Sequence, residues 1–183
     1  MAGSLTEQDI SKIMAMFHQY RGIDTFVETG TFHAETTLRM SKLFACCHTI
    51  ELSEELYKAA KVKLAGTSVT CHHGDSAQVF PRLLPEITRP AIFFLDAHWC
   101  KRDSAKGPVD VPLLQEMDLI VRRPFKDLLI IDDVRLFASS GGEDWSAVTV
   151  SSVLRQLSPK IPLWKRIFRL GYAIVDDRMI VPL

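Results

Sequence analysis

The hydrophobic residues of this chain fall into short runs that alternate with amphipathic segments. Five runs, rich in β-branched or aromatic residues, predict β-strands: residues 25–29, 48–52, 68–71, 91–95 and 128–131. The fourth and fifth runs are apolar without interruption. Such runs indicate strands that are buried on both faces, as in a parallel sheet.

Segments with helical periodicity follow the strands: residues 35–44, 54–64, 76–84, 112–121 and 148–157. Residues 1–22 predict a further helix at the N-terminus. Ser53 is a suitable N-cap, because its hydroxyl can accept a hydrogen bond from a first-turn N–H. The first four strands start 23, 20 and 23 residues apart, which leaves room for one crossover helix between parallel neighbours.

The end of the chain has a different pattern. Two short apolar segments, residues 172–175 and 178–181, flank Asp176 and Asp177, which predicts a hairpin. We therefore expect an α/β fold: a Rossmann-like, doubly wound, mainly parallel seven-stranded sheet that ends in an antiparallel hairpin. A length of 183 residues favours a single domain that spans residues 1–183.

Composition excludes some classes of function. The 22 basic and 22 acidic residues cancel, which disfavours nucleic acid as a partner. Neither a run of about 18 apolar residues nor a signal-peptide core occurs, so we expect a cytoplasmic protein that does not bind a membrane. The four cysteines form no CxxC pair and are expected as free thiols. A homo-oligomer is compatible with the sequence, which does not fix the oligomeric state.

Ligands bind beyond the carboxyl ends of the strands in open α/β sheets. The first predicted strand ends in Glu28-Thr29-Gly30-Thr31, and Gly30 permits a tight turn there. Glu51 follows Glu28 by 23 residues, where nucleoside-binding sheets use a carboxylate to hold the ribose hydroxyls.

The end of the third strand leaves two alternatives open. Asp75 either accepts a hydrogen bond from an adenine amino group or caps the helix that begins at Ser76. Cys71, His72 and His73 precede it, but no second pair at zinc-finger spacing follows, so structural roles are predicted for them.

The richest chemistry follows strands four and five. Asp96 and His98 come after one strand, and Asp132 and Asp133 after the other. Carboxylates are the ligands that Mg²⁺ prefers, and His98 is the natural general base. Neighbours in an extended segment point to opposite faces, so we expect Asp96 and Asp132 to ligate an ion, with Asp133 in a supporting or capping role. Alternatively, these acids orient an acceptor without a metal.

Four segments together resemble class I S-adenosylmethionine-dependent methyltransferases: residues 26–31, 49–52, 73–76 and 94–98. The resemblance extends over residues 25–183. The segments LDAHW, SAKGPVDVPLLQEMDLI and LLIIDDVRLF resemble a bacterial group of small methyltransferase-like proteins of mostly unassigned substrate. Phe32 and Ala34 stand where the first motif of the family usually has further glycines.

The resemblance implies a set of site residues. S-adenosylmethionine would bind near nine positions: Glu28, Thr29, Gly30, Thr31, Glu51, Leu52, Asp75, Ser76 and Asp96. The chain is also similar to metal-dependent sugar and catechol O-methyltransferases, which have acidic residues at the positions of Asp96, Asp132 and Asp133. This similarity implies that the three residues would hold a metal ion, with Mg²⁺ as an optional second cofactor. His98 and Asp96 would be the catalytic residues.

We therefore expect an S-adenosylmethionine-dependent methyltransferase that acts on a hydroxyl of a small molecule, such as a sugar or a secondary metabolite. The chain lacks the NPPY-type motif of amino-methylating enzymes. The acceptor would lie among the N-terminal helix and residues 100–111 and 137–149, with Trp99 as a wall and Trp145 as a packing residue. Two alternatives stay open: a non-catalytic cofactor-binding module, and a metal-dependent hydrolase or hydroxylase that uses Asp96, His98, Asp132 and Asp133.

Overall fold

The computed structural model describes residues 4–98, 110–140, 142–157, 159–160 and 171–183. Seven strands form one sheet: β1 Thr25–Thr29, β2 Cys46–Glu51, β3 Val69–His73, β4 Ile92–Leu95, β5 Leu128–Ile131, β6 Ala173–Val175 and β7 Arg178–Pro182. Their order is β3-β2-β1-β4-β5-β7-β6. Strands β1 to β5 are parallel, and β7 runs antiparallel to both β5 and β6, which confirms the predicted fold class.

The part of the chain that the structure describes contains six α-helices around the sheet: α1 Glu7–Met16, α2 Glu35–Met40, α3 Glu54–Lys63, α4 Ser76–Leu83, α5 Leu113–Ile120 and α6 Val150–Gln156. The Ser53 side chain accepts from the N–H of Leu56, which confirms the predicted cap of α3. Helix α2 ends at Met40, four residues earlier than expected, and the chain then brings the Phe44 ring onto Phe26 with centroids 5.4 Å apart. Packing against β1 therefore outweighs helical continuation there.

The core has two layers because successive strand residues face opposite sides of the sheet. In β4, Phe93 and Leu95 pack in the layer beneath α4, α5 and α6, whereas Ile92 and Phe94 pack in the layer that includes residues of α1 and α2. All four are buried, which explains why this run is apolar throughout.

The C-terminal hairpin turns at Asp176 and Asp177, whose φ angles are +50° and +69°. Two left-handed residues in succession are typical of the type I′ turn, whose twist matches that of the flanking strands. The turn places Arg178 at the start of β7, close to the end of β5. Within the described ranges, no helix is both long and apolar enough to cross a bilayer.

Candidate active site

The strand order reverses between β1 and β4, and the turn after β1 is fixed against the end of β4. Gly30 has a φ of +83°, and a Cβ added there would lie 2.5 Å from the carbonyl oxygen of Asp96. Only glycine fits such a position without displacing the backbone. The predicted tight turn is thus confirmed. The N–H groups of Gly30 and Thr31 donate to the carbonyl of Ile50 at 3.0 and 3.2 Å, which ties the turn to β2.

Glu51 holds the same turn from the end of β2. Its Oε2 accepts from the N–H of Phe32 and its Oε1 from the N–H of Ser53, both at 2.8 Å. The next residue, Leu52, is half-buried. The Glu51 carboxylate therefore lies at the predicted place beside the turn and also joins the turn to the start of α3.

Phe32 and Ala34 have positive φ angles of 47° and 58°. L-residues rarely adopt this conformation, whereas glycine adopts it readily. The backbone therefore takes a glycine-like path at the two positions where the resemblance leads one to expect glycine, although the sequence supplies larger side chains.

Glu28 lies inside the fold beneath this turn. Its Oε2 accepts hydrogen bonds from the hydroxyls of Thr37 and Thr49, and the Thr49 hydroxyl is 2.6 Å from that of Thr31. Burial raises the pKa of Glu28 to about 8, although the threonine hydroxyls oppose the shift. Glu28, Thr29 and Thr31 are all buried. The structure places them as supports of the turn, and direct contact with a cofactor stays a prediction.

The stability of Glu28→Gln relative to wild type should increase progressively as the pH rises. Because the pKa of Glu28 in the folded state lies above its ordinary value of 4.5, the neutral acid contributes its full stabilisation below pH 4.5. Wild type loses this contribution as the pH rises from 4.5 to about 8. Glutamine cannot ionise and still accepts from the threonines. Between pH 6 and 9, its unfolding free energy should gain about 2–3 kcal/mol relative to wild type. Urea titrations at both pH values measure this, and a constant difference between the two proteins would refute the assignment.

Asp75 and Ser76 follow β3 and begin α4. The Asp75 side chain accepts from the N–H of Ala77 at 2.9 Å, so the capping alternative is observed. The buried hydroxyl of Ser76 donates to Glu116 of α5. Burial raises the pKa of Glu116 to about 7. Sequence analysis did not single out this residue, because it belongs to an ordinary helical pattern.

His98 stands at the centre of an acidic cluster beyond β4 and β5. Its Nδ1 lies 3.6 Å from Oδ1 of Asp96, and its Nε2 lies 3.4 Å from Oδ2 of Asp133. One ligand atom from each of these three residues lies within 4.8 Å of the others, a grouping that could hold a metal ion. Asp96 and His98 therefore share one side of the site, as alternation along the strand predicts.

The structure groups Asp133, and not Asp132, with Asp96 and His98, while metal ligation by Asp132 stays a prediction. Asp133 adopts a left-handed φ of +60°, which turns its side chain toward His98, while Arg135 pairs with its other oxygen. Asp132 lies outside the described metal-type cluster and forms an ion pair with Arg178, at 3.3 Å between Oδ1 and Nε. The expectation assumed a continuing extended backbone, and the turn at Asp133 ends that alternation.

Glu143 and Trp145 also lie beside His98, and neither was predicted as a site residue. Oε2 of Glu143 lies 3.9 Å from Nε2 of His98 and accepts from the Trp145 indole N–H at 2.9 Å. The Trp145 and His98 rings are 5.4 Å apart between centroids. The only feature of the sequence that could have indicated these two site residues is a polar and an aromatic residue close together in the loop after β5. Trp99 and residues 100–109 lie outside the described residues.

The cluster brings several acidic side chains close together. Burial raises the pKa of Asp96 well above its usual range, and the neighbouring Asp132, Asp133 and Glu28 carboxylates raise it further against the influence of Arg178. Burial also raises the pKa of Asp132, to about 6, although Arg178 opposes the shift. A cation bound at this end of the sheet would relieve the mutual repulsion of these acids.

Comparisons with solved structures identify the fold. The O-methyltransferase TomG from Streptomyces achromogenes, which is involved in tomaymycin synthesis and was solved with S-adenosylmethionine, has a TM-score of 0.58 and 16% identity, over 98% of this chain and 81% of that one. An O-methyltransferase from Bacillus cereus, solved with S-adenosylhomocysteine, has a TM-score of 0.56 and 16% identity, over 100% of this chain and 83% of that one. No family profile and no curated protein matches the sequence. The chain thus has the Rossmann-like fold of class I S-adenosylmethionine-dependent methyltransferases.

Proposed function

We propose that this protein transfers a methyl group from S-adenosylmethionine to a hydroxyl of a small molecule. The observation that carries the proposal is the turn at Gly30, which contacts the Asp96 carbonyl on one side and is held by the Glu51 carboxylate on the other. Gly30, Asp96 and Glu51 therefore meet at the point where the strand order reverses, which is where open α/β sheets bind ligands. The likeness to O-methyltransferases supports it.

The residues present fit S-adenosylmethionine. Each carboxylate oxygen of Glu51 accepts one backbone N–H, and an ionised carboxylate oxygen can accept a second hydrogen bond, so the two ribose hydroxyls have acceptors. The acidic surroundings of Asp96 suit a sulfonium cation. When bound, the cofactor supplies an electrophilic methyl group.

The acceptor hydroxyl would enter the cavity beside His98. Apolar side chains of Leu95, Val111 and Ile131 line it, together with polar groups of Asp96, His98 and Glu116. The cavity volume is about 10 Å³, which is room for about one water molecule, so the cavity would take the reacting oxygen and not a whole acceptor. His98 would take the proton of the acceptor hydroxyl, and Asp96 would orient the imidazole through Nδ1. Most of the remaining catalysis is the positioning of oxygen and methyl carbon in line.

A metal ion is the second group that the cluster could hold. The geometry offers two carboxylates and an imidazole, from Asp96, Asp133 and His98, where the sequence suggested carboxylates alone. An imidazole ligand suits Fe²⁺ or Zn²⁺ better than Mg²⁺, while Mn²⁺ accepts such mixed sets. A nitrogen of His98 that binds a metal cannot also take a proton. A chelator that leaves turnover unchanged would therefore support His98 as the base.

Glu51→Ala should weaken S-adenosylmethionine binding by about 1.5–3 kcal/mol, the range for hydrogen bonds to a charged group. Isothermal titration calorimetry measures the change. The matched control is Glu55→Ala, which removes the same charge from an exposed position in α3 and should keep wild-type affinity. Equal affinity of Glu51→Ala and wild type would remove Glu51 from the cofactor site.

Metal-dependent hydrolysis is the second candidate, and the Asp96, His98 and Asp133 grouping favours it. A ligand that binds only the folded state stabilises that state, so it raises the melting temperature increasingly as its concentration exceeds its Kd. If Mn²⁺ or Zn²⁺ alone raises the melting temperature and S-adenosylhomocysteine does not, hydrolysis replaces methyl transfer as the better proposal.

A further inference from the structure

Glu116 is a buried acid whose two carboxyl oxygens differ in their hydrogen bonding. It lies in α5, and 1% of its surface is exposed. Its Oε1 accepts from the Ser76 hydroxyl at the start of α4. Its Oε2 is buried and has no hydrogen-bond partner within the part of the chain that the structure describes. A buried carboxyl oxygen without a partner is costly, so this atom points to a bound water molecule or ligand.

The Thr29 hydroxyl on β1 does not supply the missing bond. Thr29 is close enough to lower the pKa of Glu116. Its Oγ1 is nevertheless buried without a hydrogen-bond partner among the described residues, so the two groups do not satisfy one another. Burial is the largest influence on Glu116 and raises its pKa to about 7, against the effects of Ser76 and Thr29. The neutral acid, whose hydroxyl can donate a hydrogen bond, is therefore populated near neutral pH.

Glu116 lines the cavity beside His98, whose volume is about 10 Å³. That is room for about one water molecule. His98 lines the same cavity from the end of β4, and Leu95 and Ile131 contribute apolar groups. One oxygen atom in this place can donate a hydrogen bond to an imidazole nitrogen of His98 and accept one from neutral Glu116. The cavity thus matches a hydroxyl oxygen in both size and hydrogen-bonding capacity.

We propose that this cavity binds one hydroxyl-type oxygen and that Glu116 holds it through Oε2. In the free protein the oxygen belongs to a water molecule. In the methyl transfer proposed above, on which this second role rests, the acceptor hydroxyl displaces that water. The acceptor O–H bond breaks and its proton goes to His98, while the oxygen bonds to the methyl carbon as the sulfur–carbon bond breaks. Glu116 keeps its own proton and donates to the remaining lone pair of the oxygen.

This contact makes Glu116 a residue that selects oxygen over nitrogen as the methyl acceptor. A hydroxyl oxygen has two lone pairs, so one can attack the methyl group while the other accepts from Glu116. A neutral amine has one lone pair, which the attack uses, and the buried Glu116 hydroxyl would then lose its partner. A site built to hydrogen-bond one group discriminates against an analogue that leaves its buried polar atoms unpaired.

A crystal structure of the wild-type chain without an acceptor tests the oxygen site. We expect one ordered water molecule in the cavity, about 2.5–3.0 Å from Oε2 of Glu116. A dry cavity, or an Oε2 that bonds directly to Thr29, would overturn the proposal. This result does not depend on methyl transfer. If calorimetry shows no S-adenosylmethionine binding, the proposed function fails, and the crystal structure still decides whether Glu116 holds an oxygen.

Two variants test the role of Glu116 toward the acceptor. Glu116→Gln keeps an acceptor for Ser76 and a donor for the bound oxygen, so the KM for the acceptor should stay within about twofold of wild type. Glu116→Leu has a similar size but no polar atom, and it should raise that KM about 5- to 10-fold with little change in kcat. It should also reduce the preference for hydroxyl over amino acceptors by about the same factor. Release of S-adenosylhomocysteine, with small hydroxylated acceptors and their amino analogues, measures both quantities.

Asp118→Asn is the matched control for these variants. Asp118 lies two residues further along α5, where its side chain is 43% exposed and pairs with Arg122, so its KM and acceptor preference should equal those of wild type. If Glu116→Leu also keeps the wild-type KM and preference, Glu116 is only a structural partner of Ser76. The wild-type crystal structure decides the oxygen site even if Glu116→Leu does not fold.

Discussion

Replacing His98 by alanine should reduce the rate of methyl transfer by about 10²–10⁴-fold, the usual contribution of a general base. His98 lies between Asp96 and Asp133 and lines the cavity proposed for the acceptor hydroxyl. S-adenosylhomocysteine release, measured with a panel of small hydroxylated acceptors, reports the rate. Affinity for S-adenosylmethionine should stay close to that of wild type, because the proposed cofactor contacts are made by other residues.

Two further variants sharpen this test. His98→Gln keeps much of the side-chain volume but supplies an amide, which cannot take the proton, so it should not restore the rate. His18→Ala, which removes an exposed histidine far from β4 in the sequence, should leave the rate unchanged. If His98→Ala retains a rate within a few-fold of wild type, the base must be another residue.

Gly30→Ala should lower the free energy of unfolding by about 2–5 kcal/mol. The new methyl group would meet the Asp96 carbonyl oxygen at 2.5 Å, and the φ of +83° is itself unfavourable for alanine. Forced left-handed backbone costs about 1–2 kcal/mol, and overpacking adds about 1–3 kcal/mol. Urea unfolding at one pH measures the sum.

Gly66→Ala is the matched control for that substitution. Its φ is +81°, and a Cβ there would meet no atom within 4 Å, so it carries the backbone cost without the clash. We expect a loss of about 1–2 kcal/mol for Gly66→Ala. Equal losses for the two variants would show that the close approach between Gly30 and the end of β4 contributes nothing.

The fold was predictable from the sequence because its central strands β1, β4 and β5 are buried on both faces. The unbroken apolar residues of β4 and β5 indicated a parallel sheet, and the two aspartates before Arg178 indicated a hairpin. These are local patterns, and each has a single physical reason. The bounds shifted by a few residues where packing decided, as at the end of α2.

The candidate site was predictable only in part. Glu51 lies beside the turn at Gly30 as its spacing suggested, and His98 lies beside Asp96 as strand alternation suggested. The position of Asp133 beside His98 was not predictable, because it depends on a left-handed residue. The ion pair between Asp132 and Arg178 was not predictable either, because the two residues are 46 positions apart along the chain. Glu143 reaches His98 from a loop whose path no periodic pattern fixes.

Calorimetric titration of S-adenosylmethionine into the full-length chain is the most direct test of the proposed function. The account predicts saturable binding of one molecule per chain, with Glu51→Ala about 10- to 100-fold weaker than both wild type and Glu55→Ala. S-adenosylhomocysteine should compete for the same site. If wild type shows no binding at millimolar S-adenosylmethionine and no rise in melting temperature, the chain has the fold of these methyltransferases without their cofactor, and the proposed reaction is wrong.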